Sequence, residues 1–435
     1  MRISLKKGIS ARVINIHTLK PFDKDIIIKA AQETDLICTL EEHSIIGGFM
    51  IPLSVPNFEG NEVNYTNDAV SQGWVSTGGA YVGRLEEMLS SYTRSNAVAC
   101  QSGTSALHMA LYDSGITCGD IVIVPTLTFI AAVNPVTYLG AEPLFMDCDD
   151  SLCLDPIKLE EFCSVECEYD GKLLVHKKSR KKVRAIVVVH VFGNLADMEK
   201  IMDIASKYNL YVVEDATEAL GSRFEYGRYK GKMAGTIGDY GALSFNGNKI
   251  ITTGGGGAVL TADKDKALHI KYLSTQAKDD PHFYIHNEIG FNYRMTNVQA
   301  AIGCAQMEML EEFIYRKNRN YDEYVELLKD FDKGYILPFR NNIRSNKWFY
   351  SLVIDKEKCS LNVKDYIEIL GQEGVETRPI WGLIGEQKPY YNCVSYNVER
   401  ARYYSDRIIN LPCSTNITNE QIKEAVDKLK KCIKY

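Results

Sequence analysis

The 435-residue chain lacks the strong positive charge that proteins binding nucleic acids or anionic membranes usually carry. It contains 50 Lys and Arg against 56 Asp and Glu, which gives a formal net charge of −6 at pH 7. Internal repeats and low-complexity linkers are absent as well. With 45% hydrophobic and 24% charged residues, the composition is that of a folded globular protein and argues against disordered, collagenous and coiled-coil chains.

The sequence also shows no pattern typical of a metal site or of a secreted protein. Its 12 cysteines are scattered, and Cys163 and Cys167 lack a second pair at the spacing of zinc ligands. We therefore interpret the cysteines as reduced thiols and expect a cytoplasmic protein. The basic N-terminus is not followed by an apolar segment with a cleavage site, so no signal peptide is predicted.

One uncharged stretch, residues 121–141, is long enough to cross a bilayer. It contains Pro125 and Pro135 together with polar and β-branched residues. A buried strand, a turn and a following helix explain this pattern better than a membrane span does, and we expect no membrane segment.

Short apolar segments alternate with amphipathic ones after residue 95. We predict strands at residues 97–102, 120–125, 141–147, 184–191 and 210–215. Strands this apolar have no face suited to water, and helical patterns separate them, so they indicate a mainly parallel sheet covered on both sides. The fold class is therefore α/β.

The chain divides unevenly. Residues 50–296 read as a large α/β domain, and residues 297–435 as a long connecting helix followed by a smaller α+β domain. Residues 1–49 read as a strand, a helix, a strand and a glycine-rich turn. A unit of that size buries little surface and would be marginally stable by itself.

Two features of the large domain suit an anionic ligand with a cationic ring. Ser102, Gly103 and Thr104 follow a strand and open a helix, which makes an anion site or an ordinary N-cap. Asp215 ends an apolar strand, where ligands of open α/β sheets bind. Its carboxylate could pair with a cationic ring nitrogen or cap the next helix.

Two further features suit a reactive, flat ligand. Lys249 lies five residues after Ser244 and just before four consecutive glycines, where the backbone must approach another group closely. A lysine shielded in this way can act as a nucleophile. Phe129, after the strand at 120–125, is either a core residue or a stacking face for a ring. Together the four features predict a pyridoxal-phosphate site.

Six motifs carry a family resemblance: SGTSALHMAL, DIVIVPTLTFIAAVNPV, VVVHVFGNLADM, VEDATEALGS, GDYGALSFNGNKIITTGGGG and IGFNYRMTNVQAAIG. Through them residues 50–435 resemble the DegT/DnrJ/EryC1/StrS family, fold-type-I pyridoxal-phosphate aminotransferases that act on nucleotide-linked keto sugars. Within that family, GWVSTGGAYVGRLEEML, CEYDGKLLVHKKSRKKVRAI, SFNGNKI and TRPIWGLIGEQKPYYN are most similar to the legionaminic-acid and bacillosamine types.

The resemblance implies a role for each matching residue. Lys249 would bind pyridoxal 5'-phosphate covalently and carry the proton, Asp215 would pair with the ring nitrogen, and Phe129 would stack on the ring. The residues implied to bind the phosphate are Gly103, Thr104 and Ser244. Asn292 would reach the phosphate of a neighbouring subunit, which implies a homodimer with shared active sites.

Four positions leave alternatives open. Glu218 departs from the Gln or His that is commoner at its position, and its carboxylate would repel the cofactor's phenolic oxygen if both were ionised. Arg294 and Arg378 either contact an anionic donor or nucleotide, or form structural salt bridges. His190 is either a substrate contact or a histidine whose nitrogens are satisfied inside the protein.

The resemblance implies transfer of an amino group from L-glutamate to C4 of a UDP- or GDP-linked 4-keto-6-deoxy sugar. Such a reaction supplies amino sugars for surface polysaccharides or glycans. A pyridoxal-dependent sugar dehydratase of the same family is disfavoured because those enzymes carry His at the position of Lys249. A non-catalytic regulator that retains the cofactor fold is a further alternative, which the intact Lys249 and Asp215 argue against.

The N-terminal segment resembles a different family. Its sequences ARVINIHTLKPFD and TLEEHSIIGGF are similar to the start of the transketolase C-terminal domain. No thiamine-diphosphate-binding segment accompanies them, which argues against a thiamine-dependent ketol transferase. We interpret residues 1–49 as a truncated, non-functional leader in front of a complete enzyme.

Overall fold

In the computed structural model, the described residues are 51–280 and 282–433, with short N-terminal pieces at 2–4, 10–12, 28–29 and 32–33. The chain divides into two compact units, residues 1–51 and 52–435. In the first unit, strands Arg2–Ser4 and Ser10–Arg12 form an antiparallel pair. Residues 28–29 and 32–33 are helical, and the rest of the predicted strand, helix, strand and turn of residues 1–49 lies outside the described residues.

A ten-stranded sheet forms the centre of the second unit. Its main path runs, in spatial order, through Ser395–Tyr396, Glu142–Met146, Ile121–Pro125, Lys182–Val189, Tyr211–Asp215, Tyr240–Ser244, Gly257–Thr261 and Asn96–Cys100. The first six of these strands are parallel to one another, and Gly257–Thr261 is antiparallel to the strands on both of its sides. The predicted mainly parallel sheet is therefore confirmed.

The sheet has an unpredicted extension. Strands Cys167–Tyr169 and Leu174–His176 form an antiparallel hairpin on the starting end of Lys182–Val189. This hairpin contains much of the insertion that resembles the legionaminic-acid type. Ligands of parallel sheets bind where the strands end, at their carboxyl ends. The hairpin lies where its strand begins and is therefore remote from that site.

Helices cover the sheet and connect its strands. The helices of the second unit are, in chain order, Glu62–Ser71, Ala80–Thr93, Gly103–Asp113, Asn134–Tyr138, Pro156–Glu161, Met198–Tyr208, Lys264–Ser274, Asn297–Leu328, Val363–Gln372, Glu399–Ser405 and Asn419–Ile433. Of these, Val363–Gln372 and Asn419–Ile433 pack in the C-terminal part. The central strand Ile121–Pro125 is apolar on both faces and buried along its whole length, with Val122, Ile123 and Val124 inaccessible to solvent. Burial of both faces is what the near-continuous apolar strand sequences predict.

The C-terminal part has its own antiparallel sheet. Its four strands, in spatial order, are Gly334–Ile336, Tyr350–Ile354, Ile408–Leu411 and Arg378–Pro379. The long helix Asn297–Leu328 begins at a capping box between Thr296 and Gln299 and leads into this sheet. The last helix follows a second reciprocal cap, in which Gln421 N–H donates to Thr418 Oγ1 at 3.2 Å.

The uncharged stretch at 121–141 forms strand Ile121–Pro125, a short 3₁₀ turn at Ile130–Ala132 and helix Asn134–Tyr138. This is the strand, turn and helix that its prolines and β-branched residues predict. Throughout the described residues, no helix has both the length and the apolar character needed to cross a bilayer.

Candidate active site

The carboxyl ends of two neighbouring parallel strands and the start of one helix bring predicted cofactor residues together at one end of the sheet. Asp215 ends the strand Tyr211–Asp215, and Ser244 ends the adjacent strand Tyr240–Ser244. Helix Gly103–Asp113 starts beside them, because Ser102 pairs with Gly256 in an isolated parallel bridge. Strand order alone therefore gathers segments that are far apart in the sequence.

The start of helix Gly103–Asp113 makes a close-fitting cradle. A Cβ atom added at Gly103 would lie 2.8 Å from Ser244 Cβ and 2.9 Å from Thr217 Cγ2, so only glycine fits there. The first N–H groups of the helix have no intrahelical acceptor, and the helix dipole favours an anion near them. Ser102 also forms the predicted N-cap, accepting a hydrogen bond from Ser105 N–H at 3.0 Å.

Lys249 occupies a loop that folds back on the end of its strand. Phe245 N–H donates to Gly256 O at 2.9 Å, and Thr253 N–H donates to Phe245 O at 2.9 Å. A Cβ at Gly257 would lie 2.6 Å from the carbonyl oxygen of Leu243, so the glycine run permits the close backbone approach that the sequence predicts.

The amine of Lys249 is largely shielded from water, with 12% of the side chain exposed. Its Nζ lies 3.5 Å from Glu218 Oε1 and 4.0 Å from the ring centroid of Trp348. The amine therefore has a weak contact to one carboxyl group and a close contact to one aromatic face. Such a shielded amine has few competing partners and is suited to act as a nucleophile.

The carboxyl group of Asp215 is buried and accepts a hydrogen bond from Thr217 N–H at 3.1 Å. Burial raises the pKa of Asp215, and the hydrogen bonds from Thr217 and the positive charge of Lys249 offset only part of this effect. A cation placed beside a buried carboxyl group stabilises its ionised form. The protonated nitrogen of a pyridine ring is such a cation.

Glu218 is buried next to Lys249 and receives a hydrogen bond from Phe192 N–H at 2.9 Å on Oε2. Burial raises the pKa of Glu218 to about 7, despite the opposing effects of Lys249 and of the Phe192 N–H. The negative charge of Asp215 acts in the same direction as burial. Near neutral pH a large fraction of Glu218 is therefore protonated, which relieves the repulsion expected for an ionised carboxylate beside a phenolic oxygen.

Phe129 and Asn292 lie on the surface of the described chain. Phe129 follows strand Ile121–Pro125 and is 54% exposed, so it is not a core residue and its ring is free to stack on a ligand. Asn292 is also exposed and accepts a hydrogen bond from Gln276 Nε2 at 3.0 Å. It lies at the base of the hairpin formed by Lys278–Asp280 and Ile285–His286.

The three residues considered for substrate binding have partners within the protein. His190 is fully buried, accepts from Ala196 N–H at 3.2 Å and donates from Nε2 to Glu214 at 2.8 Å. The guanidinium of Arg294 pairs with Glu86 at 2.5 Å and is 8% exposed. These contacts favour a structural role for His190 and Arg294 over a role in substrate binding.

Arg378 differs from Arg294. Its side chain is 60% exposed and pairs with Glu376 at 2.7 Å. An exposed pair of this kind is weak and can exchange partners, so Arg378 stays a candidate for binding an anionic group.

Two residues at the site were not found by sequence reasoning. Thr217 supplies a wall of the cradle and binds Asp215, and its only sequence signal is its position within the VEDATEALGS motif. Trp348 contacts Lys249 from the C-terminal part of the chain. No local pattern relates these two distant positions, since their proximity is a consequence of the tertiary fold.

Comparison with known proteins identifies the family of the chain. The model of the DegT/DnrJ/EryC1/StrS aminotransferase family matches residues 56–430. The chain belongs to this family. The model of the transketolase C-terminal domain matches residues 3–55, so both resemblances predicted from the sequence are confirmed.

Several known proteins are similar to the chain over most of their own length. A GDP-perosamine synthase from Caulobacter vibrioides is 35% identical, with 87% of this chain and 97% of the relative covered. A GDP-perosamine synthase from Escherichia coli O157:H7 is also 35% identical, with 86% and 95% covered. The structure of DesI with its TDP-sugar product has a TM-score of 0.78 and 27% identity, with 88% and 93% covered.

The protein is therefore a sugar aminotransferase that depends on pyridoxal phosphate, as members of the DegT/DnrJ/EryC1/StrS family do. The described residues fit this cofactor. The cradle at Gly103 suits a phosphate group, the buried Asp215 suits a protonated ring nitrogen, and the shielded amine of Lys249 suits an aldehyde.

Proposed function

We propose that the enzyme transfers an amino group from L-glutamate to C4 of a nucleotide-linked 4-keto-6-deoxy sugar, supplying amino sugars for surface polysaccharides or glycans. The observation that carries the proposal is the placement of Lys249, whose shielded amine lies 3.5 Å from Glu218 in a site that also contains the buried Asp215. An amine held this way can bind a carbonyl group and can also give or take a proton.

We assign the residues the following roles. When bound, pyridoxal phosphate supplies an electron sink for the carbon that carries the amino group. Lys249 holds the cofactor, is released when an amino substrate binds, and carries the proton between carbon atoms. Asp215 keeps the ring nitrogen protonated, and the half-exposed Phe129 covers one face of the ring.

The phosphate is held by the start of a helix. Gly103 and Thr104 provide N–H groups at the positive end of the helix dipole, and the hydroxyl of Ser244 lies against Gly103. These contacts fix the cofactor at the end opposite to its reacting carbon. Lys249 can therefore leave and return while the cofactor stays in place.

We propose UDP or GDP as the nucleotide of the acceptor. The two perosamine synthases named above support a GDP-linked sugar, whereas the DesI structure is named for a TDP-linked one. The similarity to legionaminic-acid enzymes stays a prediction, and Arg378 is our candidate for contacting an anionic group of the donor or nucleotide.

We also propose that the enzyme is a homodimer with shared sites. Residues 278–280 and 282–291 form what we call the hairpin segment. Three of its large apolar residues are exposed: Phe283 by 71%, Tyr284 by 74% and Ile289 by 77%. Monomers rarely leave such a cluster uncovered. A second copy of the chain would cover it and would receive Asn292, at the base of the hairpin, at its cofactor phosphate.

The decisive experiment uses Lys249→Ala, with Lys230→Ala as the control because Lys230 is an exposed lysine in a surface turn. Each protein is incubated with glutamate and a panel of UDP-, GDP- and dTDP-linked 4-keto sugars. We expect the parent and the control to form a 4-amino sugar and Lys249→Ala to lose more than about a hundredfold of the rate. Unchanged activity of Lys249→Ala, or no amine on any sugar, would contradict the proposal.

A further inference from the structure

The side chain of Trp348 contacts the amine of Lys249 and the backbone immediately before this lysine. Its ring centroid lies 4.0 Å from Lys249 Nζ, within the range of a cation–π contact. Its indole N–H donates a 2.7 Å hydrogen bond to the carbonyl oxygen of Asn248, the residue that precedes Lys249. The indole of Trp348 therefore fixes the backbone next to Lys249 and also contacts the amine at the tip of its side chain.

Trp348 is itself held firmly. Its backbone N–H donates to Phe192 O at 3.0 Å, and its carbonyl oxygen accepts from Lys317 Nζ at 2.5 Å. Its ring stacks on Phe349 with 4.1 Å between centroids and is 4% exposed. An indole fixed on these sides has little freedom to move away from Lys249.

Lys317 strengthens this support. Its ammonium group is buried and also donates to Cys413 O at 2.5 Å, so Nζ donates to two backbone carbonyl groups. The two carbonyl groups belong to different segments of the C-terminal part. Lys317 therefore ties the backbone at Trp348 to the segment around Cys413.

Phe192 links the two partners of the Lys249 amine. Its carbonyl oxygen accepts from Trp348 N–H, and its own N–H donates to Glu218 Oε2 at 2.9 Å. Phe192 has φ = 56°, a left-handed conformation that is costly for a bulky residue and persists where the surroundings enforce it. The ring of Trp348 and the carboxyl group of Glu218 are therefore fixed relative to each other across the amine.

We infer that Trp348 is a positioning residue, which holds Lys249 so that its amine reaches the cofactor's aldehyde and then the substrate's carbon. The inference rests on the role proposed for Lys249. The aromatic face attracts the ammonium form of Lys249 more weakly than a second carboxylate would, so the side chain is held in place without being locked in an ion pair. Trp348 would thus make the C-terminal part necessary for the chemistry of the large domain.

Two substitutions separate the contacts of Trp348. Trp348→Phe keeps an aromatic face but removes the N–H that binds Asn248, whereas Trp348→Leu removes both. In steady-state assays we expect kcat to fall by about tenfold to a hundredfold in Trp348→Leu, with a smaller loss in Trp348→Phe and with KM for the sugar nearly unchanged. A misplaced amine slows proton transfer without removing a substrate contact, which is why kcat changes and KM does not.

A second readout does not depend on turnover. Cofactor-free protein is mixed with pyridoxal phosphate, reduced with borohydride after timed intervals and analysed by peptide mass spectrometry for label on Lys249. We expect the labelling rate to be about tenfold lower in Trp348→Leu and to recover in part in Trp348→Phe.

Tyr366→Leu is the matched control, because Tyr366 is likewise a buried aromatic residue of the C-terminal part and its hydroxyl accepts from Leu361 N–H, away from Lys249 in the chain. It should lower the melting temperature but leave kcat and labelling unchanged at a temperature where the protein is folded. Parent-like kcat and labelling in folded Trp348→Leu would overturn the inference while leaving the role of Lys249 intact. Parent-like activity in Lys249→Ala would instead overturn the proposed function.

Discussion

Gly103 and Ser244 approach each other so closely that a single methyl group would not fit between them. A Cβ at Gly103 would lie 2.8 Å from Ser244 Cβ, well inside normal van der Waals contact. The strand end and the helix start are therefore in direct contact where we place the cofactor phosphate. In our proposal, this close contact shapes the start of the helix into the site for the cofactor phosphate.

We expect Gly103→Ala to weaken cofactor binding by at least about tenfold, because the new methyl group must push Ser244 or Thr217 away from the phosphate. Spectroscopic titration of cofactor-free protein with pyridoxal phosphate measures the dissociation constant. Gly83→Ala is the control, since Gly83 lies in helix Ala80–Thr93 and a Cβ there meets no atom within 4 Å. Equal affinity of the two variants would show that the cradle does not bind the phosphate.

Site residues could be predicted from the sequence where a reactive side chain stands beside a recognisable strand end or glycine run. Asp215 could be placed at a strand end because an apolar run stops at a charged residue, and Lys249 could be singled out by the glycines that follow it. Arg294 and His190 could not be interpreted from the sequence, because only the fold reveals Glu86 and Glu214 as their partners. Trp348 was missed for the same reason, since hydrophobic periodicity describes the face of one element and not its distant neighbours.

Glu218 should make the cofactor-free protein less stable as pH rises. Its pKa is raised to about 7 in the folded state by burial, against an ordinary value of 4.5. Below pH 4.5 Glu218 is protonated in both states and the folded state keeps its full stability. As pH rises through about 7, ionisation of the buried carboxyl group lowers the free energy of unfolding by up to about 3 kcal/mol. The buried Asp215 has a pKa raised in the same direction and contributes a similar trend.

Glu218→Gln isolates the contribution of this carboxyl group. Because the amide does not ionise, the melting temperature of the variant should rise relative to that of the parent between pH 5 and pH 8. Thermal unfolding of both cofactor-free proteins across this range measures the difference. A difference that is the same at every pH would show that Glu218 does not titrate within the folded protein.

His269 connects the hairpin segment to the body of the enzyme. Its Nδ1 bonds to Asp113, which also accepts from the hydroxyl of Tyr240, and its Nε2 bonds to Glu288 at 3.0 Å. Burial disfavours the charged form, but the hydrogen bonds with Glu288 and Asp113 outweigh it and raise the pKa of His269. The added stability is present below the ordinary value of 6.5 and is lost as pH rises through the folded-state pKa.

We therefore expect amides of the hairpin segment, residues 278–280 and 282–291, to lose protection from hydrogen exchange as pH rises above about 6.5, after correction for intrinsic rates. His269→Gln should remove this pH dependence. His282→Gln is the control, since His282 is an exposed histidine of the same segment. Protection that changes with pH to the same extent in His269→Gln and the parent would contradict the role of His269.

The two arginines considered for substrate binding should behave oppositely. Arg294→Ala leaves the buried carboxylate of Glu86 with Lys271 Nζ at 3.1 Å and Ala99 N–H at 3.0 Å as its partners. Loss of one member of a buried ion pair costs about 3 kcal/mol or more, so the melting temperature should fall clearly while KM for the sugar stays the same.

Arg378→Ala should give the reverse result. Its exposed pair with Glu376 contributes at most about 1 kcal/mol, so the melting temperature should change little. If the guanidinium contacts an anionic group of the donor or nucleotide, KM for that substrate should rise by about tenfold or more, since charge-assisted hydrogen bonds are lost. Steady-state kinetics and thermal unfolding of both variants provide the comparison. A raised KM in Arg294→Ala with unchanged stability would restore Arg294 as a substrate contact, and an unchanged KM in Arg378→Ala would remove Arg378 from the site.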